Sequence, residues 1–253
     1  SNRLLILNAL SYSPYPIKNL SDSDDTIAML ESLNSNSNHF DVGAAGTTMR
    51  FLTAYLSKIM GEWTITGSER MKQRPIHVLV DALNKLGGRV EYIEKEGFPP
   101  LRIFGSALSG GSLELPGDVS SQYVSALLMI GPYMEKGLSL SLTGNITSRP
   151  YIHLTLKLME MYGVKCSRKD NTIIVPAGGY SPVAAKVEAD WSAASYWFEL
   201  VALSGKAASV VLKGLERYSW QGDAAVAGLF ERLGVKTSAS KKGLILINTG
   251  ELV

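Results

Sequence analysis

A pattern that recurs about every 70 to 77 residues is the feature that most constrains the fold of this chain. One type of segment starts with small or hydroxyl residues, continues as an apolar helix and ends in a strand closed by Gly. Its three copies start at Ala45, Ser120 and Trp191. Because this period is longer than that of solenoid repeats, we expect each copy to be a two-helix unit with strands of its own.

A second type of segment follows each copy of the first. Its copies begin at Arg74, Arg149 and Gln221, and each reads as an amphipathic helix that ends before a Gly suited to a left-handed cap. Strands are predicted after these helices, at 90–93 with 101–103, at 172–175 and at 244–247. The chain is therefore predicted to have an α/β (α+β) fold of repeated units.

The ends of the chain cut across this pattern. The pattern predicts an earlier unit that opens at Ser1, where a helix starts with no strand before it. It also predicts a last unit that closes at 253. The Gly-rich stretch 178–182 is the expected crossing zone between two lobes. We expect residues 1–187 to form a first lobe of three units, the first of them truncated, and 188–253 to form the first unit of an incomplete second lobe.

Composition excludes several classes of function. The net charge of +2 argues against a broad surface for nucleic acid, and no apolar run approaches the roughly 20 residues that span a bilayer. The single cysteine, Cys166, is predicted on a strand and suits a reducing compartment, so a cytoplasmic location is expected. The three histidines have no ligand spacing, and no metal is expected.

Several helix starts carry residues suited to binding an anion. Unpaired amides and the positive end of the helix dipole meet there. Gly46 would let a ligand approach bare backbone, and Arg50 lies one turn further on. Hydroxyl and amide side chains stand at two other starts: Ser120, Ser121, Gln122 and Ser148.

Each of these features also has a structural interpretation. A serine before a helix is commonly a cap worth about 1 kcal/mol, and Gly46 could form a tight turn. The run that contains Arg70 and Arg74 could be solvated, and the stretch 22–25 could cap the helix at 26–33. The repeat favours the functional interpretation, because helix N-termini suited to binding an anion recur at equivalent points of successive units.

At these positions the chain resembles the 5-enolpyruvylshikimate-3-phosphate synthase family along essentially its whole length. The matching stretches are 1–3, 23–25, 45–50, 69–76, 96–102, 119–122, 148–151, 190–196 and 221–223. The resemblance implies two lobes, each of three βαβαββ units, with the active site in the cleft between them. It also implies transfer of the enolpyruvyl group of phosphoenolpyruvate to the 5-hydroxyl of shikimate 3-phosphate, with no metal and no organic cofactor, as a step of aromatic amino acid biosynthesis.

The resemblance assigns roles to individual residues. For shikimate 3-phosphate, Ser120, Ser121 and Ser148 would hold the phosphate, Arg3 would face the carboxylate and Tyr151 would line the ring. For phosphoenolpyruvate, Gly46 and Arg70 would bind the ligand with Arg50 close by, and Gln122 would lie between the two substrates.

Several departures from the family limit what the chain alone is expected to do. Ala44 stands where the family usually has Asn, and the Lys-Ser pair that precedes the family's Ser-Asn-Arg is absent. The family's second-lobe aspartate base and its further cations are also absent, so no catalytic residue can be named here. We expect a truncated chain, monomeric, whose activity needs the missing part of the second lobe.

Two other interpretations stay open at this point. The sister transferase that acts on UDP-N-acetylglucosamine shares the fold but needs a cysteine in a flexible loop, whereas Cys166 is predicted on a strand. A non-catalytic binding lobe, or an RNA-end-processing relative of similar fold, is the remaining alternative. Near-neutral charge and few aromatic side chains suited to base stacking argue against RNA.

Overall fold

The computed structural model describes residues 1–251, so the last two residues of the expected second part, 252 and 253, lie outside it. The chain divides into two compact units, Ser1–Lys186 and a second that begins at Val187. This division falls one residue from the lobe boundary expected after residue 187.

The first unit contains helices arranged around one that is almost wholly buried. They are α1 (Asn2–Leu10), α2 (Asp24–Asn34), α3 (Gly46–Lys58), α4 (His77–Lys85), α5 (Ser121–Ile130) and α6 (Arg149–Met161). Every residue of α5 from Tyr123 to Ile130 is buried, and its sequence is correspondingly apolar. Helix α5 is therefore packed on all sides, as expected for a helix without a polar face.

Two four-stranded sheets of the same topology complete the first unit. The first contains β1 (His39–Asp41), β2 (Gly61–Thr66), β3 (Arg89–Tyr92) and β4 (Leu101–Gly105), in the order β1-β2-β4-β3. The second contains β5 (Gly111–Pro116), β6 (Leu138–Thr143), β7 (Ser167–Lys169) and β8 (Thr172–Val175), in the order β5-β6-β8-β7. In each sheet the first two strands pair in parallel and the other neighbours are antiparallel.

The order of elements in both sheets is βαβαββ. The first repeat runs β1-α3-β2-α4-β3-β4, and the second runs β5-α5-β6-α6-β7-β8. Each parallel pair is joined through a helix, which is the connection that parallel neighbours require. Gly87 and Gly163 follow α4 and α6 with φ of +95° and +90°, a backbone conformation that favours glycine.

The second unit is a third repeat of the same order, without a first strand among its described residues. It contains α7 (Trp191–Leu203), β9 (Ser209–Leu212), α8 (Val226–Glu231), β10 (Val235–Ser240) and β11 (Gly243–Asn248). The strands form an antiparallel sheet in the order β10-β11-β9. The predicted fold class of repeated βαβαββ units is confirmed by this topology.

One face of α7 builds the core of the second unit and the other face is exposed. Trp191 and Phe198 are buried against Leu244 and Leu246 of β11. On the opposite side, Tyr196 and Leu203 are 73% and 81% exposed. A helix with apolar residues on both faces is typical of a position between two layers.

Two local predictions were wrong, and two strands were missed. Cys166 was expected on a strand, but it lies just before β7, in a segment where Val164 donates its amide to Met159. The helix expected to begin at Gln221 opens instead as a 3-10 turn, and α8 is short, with Gly228 in its interior. Strands β1 and β5 were not predicted, although buried and exposed residues alternate along Gly111–Pro116.

The second unit's core gives a first testable prediction. Phe198→Ala removes a fully buried ring that contacts Trp191 and Phe230, and should lower the local stability of the unit by about 3–5 kcal/mol. Amide hydrogen exchange in β9 and β11 measures this loss. Tyr196→Ala, on the exposed face of the same helix, should change it by less than about 0.5 kcal/mol. Equal acceleration of exchange in both variants would contradict this assignment of the core.

Candidate functional site

The guanidinium of Arg3, in the first turn of α1, connects that helix to α5 and α6. Its Nε donates to Oγ1 of Thr155 at 2.8 Å, and its Nη2 donates to Oγ of Ser125 at 3.2 Å. The two hydroxyls are fully buried and lie 2.9 Å apart. Residues more than 100 positions apart in sequence therefore meet at one point of the first unit.

The charge of Arg3 has no acidic partner in the described part of the chain. Its partners are neutral hydroxyls and the ring of Phe51, 5.4 Å away. Burial lowers the pKa of Arg3 to about 10, with Tyr151 nearby acting in the opposite direction. At neutral pH the side chain is thus a sheltered cation, and an anionic ligand would offset the cost of its desolvation.

The start of α3 is capped from a distance by Asp25. The carboxylate accepts from the amides of Thr47 at 3.3 Å and Thr48 at 2.9 Å, and from Nδ2 of Asn2 at 3.2 Å. The stretch 22–25 was expected to cap its own helix, α2, and the N-cap residue of α2 is Ser23, whereas Asp25 caps α3. Two of the amides expected to be bare are consequently occupied, whereas the amide of Gly46 has no hydrogen-bond partner among the described residues.

Gly46 is closely approached by Arg74. A Cβ placed on Gly46 would lie 2.5 Å from Nη1 of Arg74, so any other residue at this position would displace the guanidinium. Arg74 was not among the predicted site residues, although it belongs to the basic run 69–76. Arg70 is exposed at the start of the 3-10 turn Met71–Gln73, in the same run.

Arg50 is buried beneath Gly46 and, unlike Arg70, is not exposed to solvent. Its side chain is buried, and Nη1 donates to the carbonyl of Gly46 at 3.0 Å. Burial lowers the pKa of Arg50, and the positive charge of Arg74 acts in the same direction. The guanidinium groups of Arg50 and Arg74 thus both lie close to Gly46, and Asp25 occupies the neighbouring α3 amides.

Gln122 connects the starts of α3 and α5. Its Nε2 donates to Oγ1 of Thr47 at 3.1 Å. Ser120 is the N-cap of α5 and accepts from the amide of Gln122 at 3.3 Å, while Ser121 is the first helical residue. The cap interpretation therefore applies to Ser120, and the hydroxyl of Ser120 is also exposed to ligand.

Ser148 and Tyr151 occupy the start of α6. Ser148 is the N-cap residue, but its hydroxyl makes no cap hydrogen bond. Tyr151 is 46% exposed and acts electrostatically on Arg3. Both side chains are available to a ligand beside Arg3.

Metal and thiol chemistry receive no support from the described residues. Residues 1–251 contain no group of three or more His, Cys, Asp or Glu side chains placed to hold a metal ion. Burial raises the pKa of Cys166 to about 11, so its thiol is protonated at neutral pH. Within the same residues, no helix is long and apolar enough to cross a membrane.

The cap on α3 gives a second testable prediction. Asp25→Ala removes the acceptor for two α3 amides and for Asn2, and should lower the free energy of unfolding by about 1–3 kcal/mol in urea titrations. Asp24→Ala is the matched control, since Asp24 is an exposed acid in the same turn of α2. A similar loss in both variants would show that only the dipole of α2 is involved.

Comparison with known proteins identifies the family. The family model described as EPSP synthase (3-phosphoshikimate 1-carboxyvinyltransferase) matches residues 32–251. Proteins of that enzyme name from Bacteroides fragilis (strain YCH46) and Shewanella halifaxensis (strain HAW-EB4) are 52% and 39% identical over 254 and 263 residues. These alignments cover 100% and 92% of this chain but 62% and 61% of the relatives.

Solved structures agree on the fold. An EPSP synthase from Acinetobacter baumannii matches with a TM-score of 0.76 at 20% identity, over 97% of this chain and 61% of that one. A 2.37 Å structure of the same enzyme gives 0.77, over 97% and 60%. The chain thus spans about three fifths of the length of the relatives it matches, and it belongs to the EPSP synthase family.

Proposed function

We propose that this chain supplies the shikimate 3-phosphate-binding part of an enolpyruvyl transferase. In the proposed reaction the 5-hydroxyl of shikimate 3-phosphate loses its proton and its oxygen bonds to C2 of phosphoenolpyruvate. The bond between C2 and the phosphate oxygen breaks, and inorganic phosphate leaves with, in the net reaction, the proton of the hydroxyl. The observation that carries this proposal is the cation of Arg3, held between α1, α5 and α6 without an acidic partner among the described residues.

Shikimate 3-phosphate is proposed to lie over the starts of α1, α5 and α6. Its carboxylate would pair with Arg3, whose planar fork matches a carboxylate. Its phosphate would bind Ser120, Ser121 and Ser148, because helix N-termini and hydroxyls both donate to phosphate oxygens. Tyr151 would line the ring.

Phosphoenolpyruvate is proposed to lie over the start of α3. Gly46 would donate its amide, and Arg70 would bind the anion together with Arg74, which already lies against Gly46. Arg50, held on the carbonyl of Gly46, would support this surface from below and add to its positive potential. Gln122 would then lie between the two substrates.

The two units take different parts in this proposal. Residues 1–187 would form the shikimate 3-phosphate-binding lobe, and 188–253 the first unit of a second lobe. The exposed apolar face of α7 supports the second part, because further repeats of a longer protein would cover Tyr196 and Leu203. The general base and the remaining cations would come from such repeats, so catalysis is expected only in the longer, monomeric, cytoplasmic protein.

Calorimetric titration tests the proposal at its first step. Shikimate 3-phosphate should bind the chain, and Arg3→Gln and Ser148→Ala should each weaken binding by about tenfold, on the scale of one charge-assisted hydrogen bond. Unphosphorylated shikimate should bind more weakly than shikimate 3-phosphate and should be insensitive to Ser148→Ala.

Two exposed residues of the first unit provide matched controls. Arg89→Gln and Ser112→Ala remove an arginine and a serine remote from the starts of α1, α5 and α6, and should leave binding unchanged. If Arg89→Gln weakened ligand binding as much as Arg3→Gln, the effect of Arg3 would be explained by the net charge of the chain and not by its position. A folded chain that shows no phosphate-dependent binding would refute the proposal.

A further inference from the structure

Helix α6 has a second polar face, on the side of the helix directed away from Arg3. Tyr151 and Thr155 belong to the face that approaches Arg3. Arg149, His153 and Lys157 recur every four residues and line a cavity of about 330 Å³ on another side of the helix. This volume falls within the range of about 300–1,000 Å³ that small-molecule sites occupy.

The cavity combines an apolar floor with a basic rim. Leu142, Ile146 and Ile173 are buried side chains of the floor. Lys165, just before β7, and Arg168, within β7, add two cations to the three basic residues of α6. Such a cavity suits a ligand with an apolar body and an acidic group.

The positive charge of the rim is only partly compensated within the described chain. Glu160 is the one acidic residue that lines the cavity, and it pairs with Lys157 at 2.9 Å. Arg168 donates to a backbone carbonyl, that of Asp170, at 2.9 Å. Arg149 and Lys165 make no ion pair with any residue in 1–251, so their charges remain available to an anion.

We propose that this cavity is a binding site for a small amphiphilic anion, with an aromatic or aliphatic body and one carboxylate or phosphate. The body would lie on Ile146 and Ile173, and the acidic group would pair with Lys165, Arg168 and Arg149. None of the side chains proposed to hold the two substrates lines this cavity. The site is therefore separate from the proposed transferase function and can be tested independently of it.

Cys166 provides a reporter at the cavity itself. It is the only cysteine in the sequence, lines the cavity and is half-buried. Alkylation of the 253-residue chain with N-ethylmaleimide, followed by intact mass, measures access to this thiol. A saturating concentration of phenyl phosphate should slow the reaction. Benzyl alcohol, which has only the apolar body, and inorganic phosphate, which has only the acidic group, should protect the thiol much more weakly.

Variants assign the protection to the rim. Lys165→Gln/Arg168→Gln should weaken protection by phenyl phosphate about tenfold, the scale of two partly exposed ion pairs. Lys136→Gln/Lys186→Gln, which removes two exposed cations outside the cavity, should leave it intact, as should Ser148→Ala. The proposal would be overturned if phenyl phosphate gave no protection or if benzyl alcohol protected equally well. It would also be overturned if protection survived in Lys165→Gln/Arg168→Gln or was lost in Ser148→Ala.

Discussion

The position of Arg3 between buried hydroxyls is the interaction on which the candidate site depends. Ser125 and Thr155 orient the guanidinium through two of its donors but leave its charge intact, because neither hydroxyl ionises. A carboxylate in their place would hold the side chain equally well and neutralise it. The pKa of about 10 keeps Arg3 cationic at neutral pH in spite of burial. Packing of α1 against α5 and α6 therefore creates both the shape and the charge of an anion site.

A different balance governs the start of α3. There a carboxylate of the chain, Asp25, already occupies amides that a ligand could have used. Its negative charge would oppose an anion at Gly46 if it were alone. Arg50 donates to the carbonyl of Gly46 and Arg74 lies against Gly46, so two positive charges oppose that of Asp25 there. An anion at this point would thus depend on guanidinium groups more than on the helix dipole.

The repeat made the architecture predictable, since the same apolar and capping pattern occurs in each copy. Strand β1 escaped prediction because three residues are too few for an alternation to be recognised. Asp25 was assigned to its own helix because capping rules are local, whereas its partners Thr47 and Thr48 lie 22 and 23 residues away. Arg74 was missed for a related reason: which arginine of a basic run faces Gly46 depends on the fold of the turn 71–73.

Equivalent helix N-termini in the repeats are capped in different ways. The type of cap determines how well each N-terminus can bind an anion. The start of α7 is closed by the carboxylate of Asp190, which accepts from the amide of Ser192 at 2.8 Å, and Asp223 accepts from the hydroxyl of Ser192. The start of α3 is partly closed by Asp25.

The α5 start is capped only by the neutral hydroxyl of Ser120, and at the α6 start the hydroxyl of Ser148 makes no cap bond. Carboxylate caps satisfy amides and add negative charge, whereas hydroxyl caps leave the dipole uncompensated. The starts of α5 and α6, the two helices that also contact Arg3 through Ser125 and Thr155, are therefore the ones best suited to the phosphate of the proposed ligand.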